Sequence, residues 1–171
     1  RHKDVLAHTI AVVEKTGPDR ILRLAALLHD IGKPQTRRFE KGKNGVSFHH
    51  HEVVGARMTR ERMRALKYSS DDVKAVSELV PLHLRFHTYK MGWTDAAVRR
   101  YVRDAGPLLD RLNELPRCDC TTRNPRRAAA LARRMDDLEV RIADPRAAGE
   151  LPALRPALAG APIMPPPWPA P

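Results

Sequence analysis

His29 and Asp30 set an imidazole beside a carboxylate at the end of an apolar run, Leu27-Leu28-His29-Asp30-Ile31-Gly32-Lys33-Pro34. Ile21, Leu24, Ala25, Leu28 and Ile31 recur at helical spacing, so the pair rides on the last turn of a buried helix that Gly32 and Pro34 are expected to stop. A carboxylate removed from water without a partner is strongly destabilising; a divalent cation neutralises it and gives both side chains a ligand role. Further candidates fall on other predicted helices: His8 upstream, then His51, His83 and Asp119 downstream. Imidazole nitrogen and carboxylate oxygen suit Mn, Fe, Co, Ni or Zn, and geometry rather than the ligand list would choose among them. The chemistry this pattern offers is an acidified, metal-bound water.

The elements that must position these groups are nearly all helical. A first helix is predicted from about Asp4 to Lys15, with Val5, His8, Thr9 and Val12 on one face, ended by Thr16-Gly17-Pro18. The His-Asp helix follows from about Asp19 to Ile31. Residues 36 to 48 change character: Thr36 to Phe39 and Val46 to Phe48 flank the basic turn Lys41-Gly42-Lys43-Asn44-Gly45, which predicts a short hairpin or ordered loop. A third helix, about His51 to Lys67, carries Arg57, Arg60, Arg64 and Lys67 at steps of three and four. Ser70 with Asp71 and Asp72 is expected to open a fourth, whose Val73, Val76, Val80 and His83 share a face, with Pro81 kinking or restarting it. Thr94-Asp95 opens the next, stopped by Gly106-Pro107. Leu108, Leu109, Leu112 and Leu115 lead to Asp119, on the same side if the helix persists across Pro116. Asn124-Pro125 opens a long basic helix with Ala128, Leu131, Met135, Leu138 and Ile142 in one stripe, and from Pro156 a Pro-rich sequence predicts an extended tail.

Bulk properties narrow the function classes. Lys and Arg number 31 against 20 Asp and Glu, a net charge of +11 that points to a polyanionic partner. Aromatic residues make up only 5%, too few for a base-stacking sheet, so RNA contact is expected mainly at phosphate. No apolar run approaches the ~20 residues of a membrane span. Arg1 opens the chain without a signal pattern, and it is read as a piece of a cytoplasmic protein. Cys118 and Cys120 are only two thiols, half a zinc site; small side chains flanking Asp119 are the simpler reading.

The ordered blocks His2-Lys3-Asp4-Val5 with His8-Thr9, His29-Asp30-Ile31-Gly32-Lys33-Pro34, His51-Glu52-Val53-Val54-Gly55-Ala56, Leu82-His83-Leu84-Arg85-Phe86 and Asp119-Cys120-Thr121-Thr122-Arg123-Asn124 resemble a known family. It is the HD-domain superfamily of metal-dependent phosphohydrolases, and within it the HD region of bacterial CCA-adding tRNA nucleotidyltransferases of the poly(A) polymerase family. The resemblance implies an all-α fold, an HD-domain-like helical bundle with one short basic hairpin or loop insertion. The chain is read as an HD domain over residues 1–120, a basic helical extension packing on it over 121–155, and a Pro-rich flexible tail over 156–171.

For the site, the resemblance implies that His8, His29, Asp30 and Asp119 hold one divalent transition metal. Asp30, His51 and His83 match the residues that add a second, and His87 is a weaker candidate. Lys33 matches a motif lysine that could hold a substrate phosphate, with Arg85 assisting; a helix C-terminal cation would explain Lys33 structurally. The implied activity is hydrolysis of 2′,3′-cyclic phosphodiesters and phosphomonoesters. The competing function is a tRNA-binding module with a structural or vestigial metal, in which Arg57, Arg60, Arg64, Lys67, Arg123, Arg126 and Arg127 meet RNA. No Gly-Ser element with a downstream Asp-x-Asp pair occurs, so nucleotide addition is not expected of this chain.

Overall fold

The computed structural model describes residues 4–39 and 45–144. Its helices are α1 (Val5–Glu14), α2 (Arg20–Leu28), α3 (Lys33–Thr36), α4 (His51–Ala65), α5 (Ser70–Leu82), α6 (Asp95–Ala105), α7 (Leu109–Asp119) and α8 (Pro125–Ala143). Between α3 and α4, β1 (Arg38–Phe39) pairs antiparallel with β2 (Val46–Ser47), as the hairpin reading expects. The hairpin turn at 40–44, His2, the end of the expected extension at 145–155 and the Pro-rich tail lie outside the described residues. Among the described residues no helix is long and apolar enough to cross a membrane.

Short polar side chains start most of these helices by accepting from otherwise unpaired amide N–H groups. Asp4 accepts from Leu6 N at 2.9 Å and Asp19 from Leu22 N at 2.8 Å; Thr94 and Asn124 cap α6 and α8 in the same way. For α5 the cap is Ser69 rather than Ser70, because the Ser69 hydroxyl is the one that reaches Asp72 N.

Two prolines behave differently from expectation. Pro34 does not stop a helix but lies in the first turn of α3, where a missing N–H costs nothing. Pro81 does not restart α5: it occupies the last turn, and the helix ends one residue later at Leu82. Pro116 likewise sits near the end of α7, which persists to Asp119.

The core is one cluster. Val12 of α1, Ala25 and Ala26 of α2, Val76 and Leu79 of α5, Leu115 of α7, and Met135 and Leu138 of α8 are all fully shielded from solvent. α8 thus completes the same core as the helices before residue 120, through its contacts with α6 and α7. Cys118 is buried and neither cysteine is in a disulfide.

α4 and α5 pack closely, with Gly55 against Val80. α4 ends in a Schellman turn: Tyr68 N donates to Met63 O at 3.1 Å and Lys67 N to Arg64 O at 3.0 Å. The left-handed position of that turn, usually glycine, is Lys67 at φ 61°. A side chain in this conformation costs on the order of 1 kcal/mol. Lys67→Gly should therefore raise the unfolding free energy by about 1 kcal/mol in urea titrations; an unchanged midpoint would mean that the lysine recovers the strain elsewhere.

Candidate metal centre

The site forms where helix ends meet. His29 follows the last residue of α2, His83 follows α5, His51 opens α4, His8 lies in the middle of α1 and Asp119 ends α7. The C-terminal ends of α2 and α5 leave backbone carbonyls without intrahelical donors, which the imidazoles of His29 and His83 take, while His51 reaches a carbonyl of the turn before α4. His29 Nδ1 lies 2.7 Å from Ala26 O, His51 Nδ1 2.8 Å from Phe48 O and His83 Nδ1 2.5 Å from Val80 O, each three residues back along the chain. His8 Nδ1 is 2.9 Å from Thr121 Oγ1. A carbonyl can only accept, so Nδ1 of His29, His51 and His83 carries a proton, and Nε2 is the nitrogen left to bind a metal in the neutral ring.

Those Nε2 atoms converge on two carboxylates. His8 Nε2 is 2.9 Å from Asp119 Oδ1 and 3.8 Å from Asp30 Oδ2; His29 Nε2 is 3.3 Å from Asp30 Oδ2 and 3.6 Å from Asp119 Oδ1. On the other side, His51 Nε2 is 3.6 Å from Asp30 Oδ1. The 3.3 Å and 3.6 Å separations are ion-pair distances without hydrogen-bond geometry, and Nε2 of both His29 and His51 is buried with no hydrogen-bond partner. Ligand atoms of His8, His29 and Asp30 lie within 4.8 Å of one another, as do those of Asp30, His51 and His83, so Asp30 is shared between two metal-sized clusters.

The electrostatics fit a cation. Burial alone would lower the His29 pKa, but the Asp119 and Asp30 carboxylates outweigh it and raise it to about 10. Burial would raise Asp30 and Asp119; His29, aided by Lys33 at Asp30 and His8 at Asp119, holds both well below the ordinary carboxylate range instead. His83 is pushed down to about 4 by burial, which keeps it neutral. Two ionised carboxylates facing imidazole Nε2 atoms, with the proton that they hold on His29 displaced by the incoming cation, are a donor set for a divalent metal.

The cleft over these groups measures about 610 Å³. Lys33 reaches into it and donates to Asp30 Oδ2 at 2.5 Å, with Phe48 beside it. His87 also lines the cleft, as do Arg37 and Phe48, which sequence reasoning did not single out; their position around the basic hairpin was the available signal. Arg85, expected to assist at the phosphate, does not line it: its guanidinium is held 2.7 Å from Asp104 Oδ2 of α6. Of the expected RNA contacts, Arg60, Arg64, Lys67, Arg123, Arg126 and Arg127 are exposed and away from the cleft, and Arg57 pairs with Glu61 at 3.5 Å.

A helical bundle whose paired His-Asp sits at a helix end, completed by histidines and a distal aspartate, defines a class of metal-binding domains. The HD domain family pattern matches residues 5–144, and the chain belongs to that family. Among curated relatives, the A-adding tRNA nucleotidyltransferase of Deinococcus radiodurans is 34% identical over 123 residues, covering 69% of this chain and 27% of the relative. The CC-adding tRNA nucleotidyltransferase of Thermus thermophilus is 42% identical over 62 residues, covering 36% of this chain and 14% of the relative. The chain therefore spans about a quarter or less of the length of these relatives.

Proposed function

We propose that this chain is a metal-dependent phosphohydrolase region of a cytoplasmic tRNA nucleotidyltransferase, acting on 2′,3′-cyclic phosphodiesters and phosphomonoesters in tRNA 3′-end processing. The observation that carries the reading is the set of Nε2 atoms converging on Asp30 and Asp119 with their Nδ1 atoms already committed. His8, His29, Asp30 and Asp119 would hold one divalent Mn, Ni, Co, Fe or Zn ion, and Asp30, His51 and His83 a second. A bound cation would supply an acidified water and polarise a phosphoryl oxygen.

The chain's own residues do the rest. Lys33, a compact ammonium at the cleft wall, binds a phosphate oxygen and holds the ester in line with the attacking water. Val5, Val46, Phe48 and Leu84 form an apolar wall for the organic part of the ester. Arg57, Arg60, Arg64 and Lys67, with Arg123, Arg126 and Arg127, would meet RNA phosphates; the tRNA partner is supported by the names of both relatives.

The test is hydrolysis of 2′,3′-cyclic nucleotides and phosphomonoesters by the metal-loaded chain. Lys33→Ala should lower kcat on the order of 10²-fold, the loss expected for a fixed donor to developing charge, with much less effect on metal content. A fully metallated protein inert across the panel would overturn this reading in favour of the binding module.

A further inference from the structure

We propose that the groove between the C-terminal half of α4 and the N-terminal half of α5 docks the phosphodiester backbone of structured RNA, at a place separate from the metal centre. The groove measures about 470 Å³; Arg60, Arg64 and Lys67 line it from α4 and its terminal turn, Lys74 from α5, with Tyr68 and Glu78 also on its walls.

Its positive charge is not used internally. Arg20, Arg85, Arg111, Arg117 and Arg141 each meet a carboxylate oxygen at 2.9 Å or less. None of the groove's cations pairs with a carboxylate among the described residues, although Glu78 lines the same groove. All four are exposed, so they remain hydrated point charges suited to a phosphate chain rather than to a buried ion. Lys67 is held at φ 61°, where glycine is the unstrained choice, so the fold keeps a cation at the groove at the expense of backbone strain. The concave, polar walls fit a strand of phosphates better than a flat lipid surface, which cannot enter a groove.

Arg60 follows His51 by nine residues, about two and a half turns at 3.6 residues per turn, so it stands on the opposite side of α4 from the metal ligands. An anion in the groove is therefore not the ester in the cleft but another part of a larger molecule. This narrows the RNA contact of the basic stripe: it brings in Lys74 and leaves out Arg57, which is paired with Glu61. The groove rests on the reading above only for RNA as the partner; binding there does not require hydrolysis at the cleft.

The experiment measures binding of a labelled RNA hairpin to the full 171-residue chain, by anisotropy, across a salt series. The proteins are wild type, Asp30→Ala, and the groove variant Arg60→Gln/Arg64→Gln/Lys67→Gln/Lys74→Gln. The α6 variant Arg99→Gln/Arg100→Gln/Arg103→Gln controls for net charge. The groove variant should flatten the log-log salt slope by on the order of 3, and the α6 variant by less than about 1. Asp30→Ala should keep the wild-type slope, and Arg60→Lys/Arg64→Lys should retain binding.

An unchanged slope in the groove variant, equal flattening per charge in the α6 variant, or no RNA binding by wild type overturns the proposal. So does groove-dependent binding to anionic phospholipid vesicles in place of RNA. If groove-dependent RNA binding persists in a protein that hydrolyses nothing, the groove stands and the phosphohydrolase reading falls; hydrolysis without groove-dependent binding gives the converse.

Discussion

Asp30→Ala will lose metal at both halves of the cleft, because its two oxygens face different histidines: Oδ2 lies toward His8 and His29, and Oδ1 toward His51. Removing an outer partner of a ligand costs roughly 10 to 100-fold in metal affinity; removing the shared ligand should exceed about 100-fold and leave the purified protein without bound metal by elemental analysis. Thr121→Val, which takes away only the hydroxyl 2.9 Å from His8 Nδ1, should fall in the smaller range.

The same site predicts a pH dependence. In the metal-free protein the carboxylates raise the His29 pKa to about 10, so His29 is protonated at neutral pH and a metal must displace that proton. The logarithm of the affinity constant should then rise by about one per pH unit between pH 7 and 9. For folding the sign is the opposite. The raised His29 pKa stabilises the metal-free fold fully below the unfolded-state value near 6.5 and loses that contribution as pH climbs through about 10. The depressed Asp30 and Asp119 contribute above about 4 and lose it as pH falls through their folded values. Chelator-treated protein should therefore be most stable between about pH 4 and 6.5. Metal content retained in Asp30→Ala, or an affinity flat with pH, would remove the basis for the centre.

The sequence shows the helices and the His-Asp pair because both are local. Capping residues, period-3.6 apolar spacing and a hydrophilic pair at the end of an apolar run each act within one element. Asp119 falls four residues after Leu115 on the same helix face because α7 continues through Pro116. The misreadings concern what a residue does once elements meet. Arg85 stands in a block beside His83, yet the side chain follows Asp104, a residue of a different helix. Pro34 looked like a stop because proline interrupts helices, but its position after Gly32 lets it begin one. The Nδ1 contacts of His29 and His83 to carbonyls three residues back are in principle legible, since a histidine at a helix C-terminus meets unpaired carbonyls.

Gly32 is the residue whose role is least visible in one dimension and largest in three. Read alone it is a helix stop. In the fold, a Cβ at this position would stand 2.2 Å from His51 O and 2.8 Å from Gly55 N, both backbone atoms of α4 that cannot rotate aside. The absent side chain is what lets the turn carrying Asp30 approach the helix carrying His51. Gly32→Ala must push that turn away from α4, which opens the 3.6 Å separation of Asp30 Oδ1 and His51 Nε2, while His8 and Asp119 stand on other elements. Overpacking against side chains costs about 1 to 3 kcal/mol; against backbone the cost should reach at least the upper end, about 3 kcal/mol in urea titrations. The metal titration separates the two halves of the cleft: binding through Asp30, His51 and His83 should be lost, and any binding that survives should depend on His8 and Asp119. A Gly32→Ala protein within about 0.5 kcal/mol of wild type, the range of ordinary surface changes, and with unaltered metal stoichiometry would show that the two elements need not touch for the site to form.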